Sequence, residues 1–104
     1  MRIGGIEVPE QALRALCKQW KIRRLELFGS AQTGQLRADS DIDLLIEFEP
    51  DEKWSLMDLA RAEEEFTLLF GRKVDLVDRK NLERSTNWIR RDAILNSAEE
   101  VYSA

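Results

Sequence analysis

The stretch LFGSAQTGQLRADSDIDLLIEF, residues 27–48, decides which fold the rest of the chain can build. An apolar run stops at Gly29-Ser30, and a second apolar run opens with Asp41 and Asp43. Aspartate is depleted from strands, and a buried carboxylate is costly unless another group compensates it. Two aspartates at the start of the most apolar run of the chain therefore require a functional explanation.

Both apolar runs alternate as strands do. Residues two apart on a strand point to the same face, with Cα atoms about 7 Å apart. The run 22–28 alternates in this way and is predicted to be a strand. In the run 41–48, one face carries Ile42, Leu44, Ile46 and Phe48, and the other carries Asp41, Asp43, Leu45 and Glu47. The two aspartates are therefore expected to share a face.

The remaining pattern alternates helices and strands. Helices are predicted over 9–20, from a Ser55/Asp58 capping box to a Gly71 C-cap, and over about 85–96. A strand is predicted over 73–77, and the last residues could add a short terminal strand. The apolar residues expected to be buried in these helices are Leu13, Leu16, Cys17, Trp20, Leu59, Ala62, Phe66, Leu69, Phe70, Trp88, Ile89, Ala93 and Leu95. The acidic run 63–65 is interpreted as a solvated helix face.

Composition limits the class of protein. The 104 residues fit one domain, 1–104, and the hydrophobic content of 43% excludes a disordered chain. A net charge of −4 argues against strong binding to duplex nucleic acid, and the absence of histidine excludes histidine catalysis. The single Cys17 cannot form an internal disulfide, and no apolar run approaches a membrane span. A cytoplasmic protein is expected.

A third carboxylate, Asp75, lies in the alternating run 73–77. If that strand pairs beside the one carrying Asp41 and Asp43, three carboxylates meet on one face. Carboxylates this close repel one another unless a hard cation lies between them, and Mg²⁺ suits oxygen ligands. Two such ions can stabilise both the attacking and the leaving oxygen of a phosphoryl displacement.

Gly29-Ser30 can supply the phosphate side of such a site. Glycine allows close approach of the backbone, and a serine at the start of a helical turn offers donors to an anion. Taken singly, each motif has an ordinary explanation: Gly-Ser as a turn, Asp41 as a loop cap, Asp43 as a solvated side chain. Their combination, with ten residues from Ala31 to Ser40 between them, is far more specific.

LFGS, ten residues and then DIDLLIEF resemble the signature of the nucleotidyltransferase superfamily, in particular its minimal branch that is paired with HEPN proteins. KVDLV, 73–77, is similar to the family's third-carboxylate strand, and RRDAILNSAEEVY, 90–102, resembles its closing helix. The similarity covers residues 8–102. It implies an α/β (α+β) polymerase-β-like palm, a small mixed sheet with helices mainly on one face.

The resemblance also implies a function and site residues. Asp41 and Asp43 would bind Mg²⁺, and Gly29 and Ser30 would hold the nucleotide phosphates. Asp75 would complete the catalytic triad, either as a further Mg²⁺ ligand or as the group that orients or deprotonates the attacking hydroxyl. AMP from ATP would be transferred to a tyrosine of a HEPN toxin, which the chain thereby silences as an antitoxin. The alternative is a non-catalytic antitoxin that neutralises its HEPN partner by complex formation. A third possibility is a transferase with another acceptor, such as RNA ends or a small molecule.

The chain departs from the family in the segment after Gly29-Ser30, where two basic residues are expected and Ala31–Gly34 has none. Arg37 is the nearest replacement for phosphate binding, and Lys73, Arg79 and Lys80 are further candidates. The basic residues Arg79, Lys80, Arg84, Arg90 and Arg91 are interpreted as a solvated helix face or a partner surface.

A palm domain of this length has no second structural element to pack against the other side of a nucleobase. A partner protein or a second copy is therefore expected to complete the pocket. Trp54, Trp88 and Tyr102 are candidate contacts of such a partner, provided that they are exposed.

Overall fold

The computed structural model describes residues 1–29, 41–51 and 53–104. Ser30 and Arg37, two of the predicted phosphate-binding residues, lie outside these ranges. The elements in chain order are β1 (Arg2–Ile3), β2 (Ile6–Glu7), α1 (Glu10–Gln19), β3 (Ile22–Phe28), β4 (Ile42–Phe48), α2 (Leu56–Phe70), β5 (Val74–Asp78), α3 (Arg79–Glu83), α4 (Trp88–Ser97) and β6 (Glu99–Ser103). Among the described residues, no helix is both long and apolar enough to cross a membrane.

The central sheet has four strands in the order β5-β4-β3-β6. β3 pairs antiparallel with both β4 and β6, whereas β4 and β5 are parallel. A parallel pair requires a crossover, and α2 supplies it. The mixed sheet and the terminal strand agree with the predicted α/β palm. The short hairpin of β1 and β2 and the helix α3 were not predicted.

Both faces of the sheet bury apolar side chains. α1 and α2 pack on one face, where Ile42, Leu44 and Ile46 of β4 are buried. α3 and α4 cover part of the opposite face, where Leu45 of β4 is buried in a smaller cluster. The larger helical share thus lies on one face, as predicted. The second, partly covered face is the one that carries Asp43 of β4.

α2 begins and ends as its sequence predicts. The hydroxyl oxygen of Ser55 accepts a hydrogen bond from the backbone of Asp58, whose carboxylate accepts from the backbone of Ser55. At the other end, Gly71 adopts a left-handed conformation with φ of 71°. These two ends set where the chain returns to the sheet to form β5.

Replacing Ser55 by alanine is expected to lower the free energy of unfolding by about 1 kcal/mol, because an N-cap acceptor is lost. Urea unfolding followed by circular dichroism measures the change. Thr86→Ala removes an exposed hydroxyl without a capping role and should stay within about 0.5 kcal/mol of the native chain. Equal effects of the two substitutions would contradict the capping role of Ser55.

The predicted burial of the last helix was wrong. Trp88 and Ile89 are 61% and 66% exposed, and Ala93 is also exposed, whereas Ile94 is buried. The helix begins at Trp88 rather than at about Ser85. Its apolar residues do not form one stripe at helical spacing, and the packing against Leu45 selects Ile94. Of the candidate partner contacts, Trp88 is thus exposed, Trp54 is half-buried and Tyr102 is buried.

The acidic run on α2 is also not simply a solvated face. Glu63 accepts a hydrogen bond from the backbone N–H of Leu76 at 2.9 Å, on the outer edge of β5. Glu65 accepts from the indole N–H of Trp20, and Glu64 alone is exposed. Thr67 accepts from the backbone N–H of Val74 in the same way as Glu63. Side chains of α2 therefore satisfy backbone donors of the edge strand, which otherwise would be open to another chain.

Candidate active site

Three strand ends meet at one end of the sheet. β4 begins just after Asp41, β5 begins just before Asp75, and the antiparallel β3 ends at Phe28. Asp43 and Asp75 are directly paired positions on the parallel strands, and Phe28 pairs with Asp43 from the other side. The prediction that the carboxylates lie on neighbouring strands of one face is therefore consistent with the strand register. None of the three aspartates is buried in the apolar core.

Gly29 lies in van der Waals contact with the carboxylate of Asp43. Its backbone has φ of 79°, a left-handed conformation that glycine adopts without strain. A Cβ at this position would collide with Oδ2 of Asp43 and lie 3.2 Å from Cγ. Only glycine allows the end of β3 to pass so close to Asp43. The position of the Asp43 carboxylate therefore depends on Gly29.

Lys73 lies beside the other two carboxylates. Its Nζ is 3.8 Å from Oδ2 of Asp41 and 4.0 Å from Oδ1 of Asp75. The lysine side chain is 70% exposed, so these contacts are weak. Lys73 immediately precedes β5, and from this position its positive charge partly balances the negative charge of the cluster.

The carboxylates interact electrostatically. Burial raises the pKa of Asp43 above its usual range, and the charges of Asp75 and Asp41 raise it further. Burial also raises the pKa of Asp75, against the opposing effect of Lys73. Carboxylates therefore lie close together in a partly buried setting, an arrangement that favours the binding of a cation.

The cluster opens into a cleft of about 580 Å³ between the sheet and α4. Its lining includes Gly29, Asp43 and Asp75 from the sheet and Arg90 from α4. The guanidinium of Arg90 lowers the pKa of Asp43, opposing the carboxylates. The interpretation of Arg90 as part of a solvated face or a partner surface therefore missed its position at the site. The sequence signal that could have placed Arg90 at the cleft is its spacing, four positions before the buried Ile94 and therefore on the same face of the helix.

Other basic residues lie elsewhere. Arg79 forms an ion pair with the buried Glu26. Lys80 lines a separate cleft beside Trp54 and Phe48. Neither residue lines the cleft that holds Asp43 and Asp75.

The donor chemistry of the site fits a hard cation. Aspartate oxygens are ligands that Mg²⁺ prefers, and the charges of Asp41 and Asp75 raise the pKa of Asp43. Within residues 1–29, 41–51 and 53–104, no group of three acidic, histidine or cysteine side chains already converges as a ligand set. Lys73 instead lies beside Asp41 and Asp75. Metal binding would thus involve displacement of the exposed lysine.

The fold and the cleft together define a class of protein. An α/β domain presents carboxylates from adjacent parallel strands beside a strand-ending glycine, with a basic residue across an open cleft. This combination is suited to the transfer of phosphate-linked groups, because the carboxylates can hold a cation and the open side can admit a nucleotide.

The chain belongs to the nucleotidyltransferase domain family, which matches residues 9–101. The protein adenylyltransferase MntA of Thermococcus cleftensis is 36% identical over 69 residues, 66% of this chain and 68% of that relative. A solved minimal nucleotidyltransferase is 34% identical with a TM-score of 0.65, over 86% of this chain and 84% of the other. These relationships confirm the predicted minimal nucleotidyltransferase.

The fold also resembles more distant structures. A toxin–antitoxin crystal structure with AMP-PNP superimposes with a TM-score of 0.71 at 18% identity, over 93% of this chain and 75% of that one. At this identity the similarity concerns the fold alone. It confirms that the predicted palm architecture is the one built here.

Proposed function

We propose that this chain transfers AMP from ATP to a tyrosine of a HEPN-type toxin protein and thereby acts as its antitoxin. The relative from Thermococcus cleftensis is named a protein adenylyltransferase. Structures of the same fold contain a toxin–antitoxin pair with AMP-PNP and a HEPN toxin that carries AMP. These relationships support the donor nucleotide and the kind of partner.

The observation that carries the proposal is the register of β4 and β5. Asp43 and Asp75 are paired positions on parallel neighbours, and both line the open cleft with Gly29. A one-residue change of register would turn one carboxylate into the apolar core. The two strands are held in this register by the apolar residues on their other face, Ile42, Leu44 and Val74 among them.

In the proposed reaction, the tyrosine oxygen attacks the α-phosphorus of ATP. The bond from this phosphorus to the α,β-bridging oxygen breaks, and pyrophosphate leaves with the bonding electrons. The phenolic proton passes to Asp75, a carboxylate that lines the cleft beside Asp43. Mg²⁺ bound by Asp41 and Asp43 would stabilise the charge that develops on the phosphate oxygens. Gly29 lets the phosphates approach the backbone.

The cleft is open on one side, so the partner has to bring the acceptor to it. A helical partner that covers the cleft would exclude water and position its tyrosine against the α-phosphorus. The exposed Trp88 and Ile89, on the helix that carries Arg90, offer apolar area near the cleft for such a contact. The functional unit proposed here is therefore a hetero-oligomer.

The test uses ATP labelled in its α-phosphate, Mg²⁺, the purified chain and a HEPN protein that forms a complex with it. We expect label on the partner, loss of the label transfer with EDTA, and loss of the label when the acceptor tyrosine is replaced by phenylalanine. Inhibition of the partner without any label would overturn the proposal and favour the non-catalytic antitoxin, to which the absence of basic residues in Ala31–Gly34 points.

A further inference from the structure

Arg90 is the basic residue of α4 that faces the carboxylate cluster. It is the third residue of α4, and its backbone N–H donates to the N-cap side chain of Asn87 at 3.3 Å. Ala93 and Ser97, three and seven positions later, line the same cleft. This spacing places Arg90 on the cleft side of the helix, and the small residues after it leave the cleft open.

The guanidinium of Arg90 forms no ion pair within the described part of the chain. Among the described residues, no carboxylate lies within ion-pair distance of it, whereas Arg79 pairs with Glu26 and Arg91 with Asp92. Arg90 is also exposed, so its removal should change stability little. Within the described part of the chain, Arg90 thus faces the cleft without an ion-pair partner, and its guanidinium is available to a ligand.

The ligand suited to Arg90 is an anion. The planar guanidinium binds phosphate oxygens through two parallel hydrogen bonds, which lysine cannot do. The carboxylates on the opposite side of the cleft repel a bare polyphosphate, so a cationic residue is required on its other side. The sequence offers no basic residue in Ala31–Gly34, directly after the turn that approaches the cluster.

We propose that Arg90 binds the β- and γ-phosphates of the nucleotide and holds them across the cleft from Asp43. This inference rests on the proposed function, since it assigns a residue to the nucleotide of that reaction. The helix α4 thus supplies from the C-terminal part of the chain a positive charge that the sequence of Ala31–Gly34 does not offer. Pyrophosphate would leave from the same place.

The experiment measures ATP and AMP binding to the full chain by calorimetry with Mg²⁺ and without the partner protein. Arg90→Ala should weaken ATP binding tenfold or more, because a charge-assisted bond is lost. Arg90→Lys should bind with intermediate affinity, since it keeps the charge and loses the paired geometry. Binding of AMP, which lacks the β- and γ-phosphates, should change less than threefold.

Arg84→Ala is the matched control. Arg84 is exposed, lies outside the cleft and carries the same charge, so its removal should leave ATP affinity within twofold of the native chain. Equal ATP affinities of the native chain and Arg90→Ala, or equal losses for ATP and AMP, would overturn the assignment. A native chain that binds no ATP would instead contradict the proposed function, so the two failures are distinguishable.

Discussion

Replacing Asp43 by asparagine is expected to lower the rate of AMP transfer at least a hundredfold while the chain remains folded. Asparagine has nearly the same size, so Gly29 can still pass beside it, but the negative charge that a metal cation requires is lost. Metal-ion stabilisation of a phosphoryl transition state amounts to several kcal/mol, which sets the expected loss. Single-turnover transfer to the partner protein, with labelled ATP, measures it.

The control for this substitution is Asp51→Asn. Asp51 lies in an exposed turn at a distance in sequence from the cluster, and the chemical change is the same. Its transfer rate should stay within twofold of the native rate. Asp41→Asn should resemble Asp43→Asn. Transfer that survives in either cluster variant would contradict the proposed mechanism.

The Asp43→Asn variant should also be more heat-stable than the native chain when metal is absent. The folded-state pKa of Asp43 is raised, so ionisation of Asp43 costs folding free energy at every pH above that pKa. The cost falls as the pH falls through the raised pKa and vanishes below the pKa of the unfolded chain. Asparagine removes the cost, so a gain in Tm should be present at pH 7 and absent at strongly acidic pH. Differential scanning calorimetry with EDTA tests the sign.

Gly29→Ala is expected to abolish transfer, with a loss of at least a hundredfold. The new Cβ would collide with the carboxylate of Asp43, and the left-handed backbone at φ of 79° would be strained as well. The carboxylate has to rotate or β3 has to shift, and a displacement of about 1 Å at a reacting group is enough to cost this factor. The same single-turnover assay measures the effect.

Gly71→Ala separates the collision from the backbone strain. Gly71 also has a left-handed backbone, with φ of 71°, but no atom lies within 4 Å of the Cβ position. Gly71→Ala should lose about 1 kcal/mol of stability in urea unfolding, because alanine is strained at positive φ, and Gly29→Ala should lose at least as much because of the added collision. Only Gly29→Ala should lose transfer. A comparable loss of AMP transfer in both variants would show that general destabilisation, and not the contact with Asp43, explains the loss.

Local sequence patterns predicted the central elements correctly. The alternation in residues 41–48 turned Asp43 away from Ile42 and Leu44, and the structure places these side chains on opposite faces. The capping residues Ser55 and Gly71 ended α2 where they were expected. These features depend on neighbours in sequence, so the sequence contains all the information needed to predict them.

Contacts between distant segments were not predictable in this way. The burial of Ile94 rather than Trp88 depends on how α4 lies against Leu45, and the acceptor role of Glu63 depends on the exposed edge of β5. In both cases the sequence pattern along one helix contains no information about the surface against which the helix packs. The polar residues involved look the same in sequence as solvated ones.

The sequence by itself determined the two strands that flank Gly29 and Asp41, the direction of Asp43 away from the apolar core, and the resemblance to nucleotidyltransferases. Only the tertiary structure decided that Asp75 pairs with Asp43, that Gly29 touches its carboxylate and that Arg90 faces the same cleft. The physical reason is that local periodicity sets the direction of a side chain along its own element. Strand pairing and helix packing, which join residues far apart in the chain, set what that side chain meets.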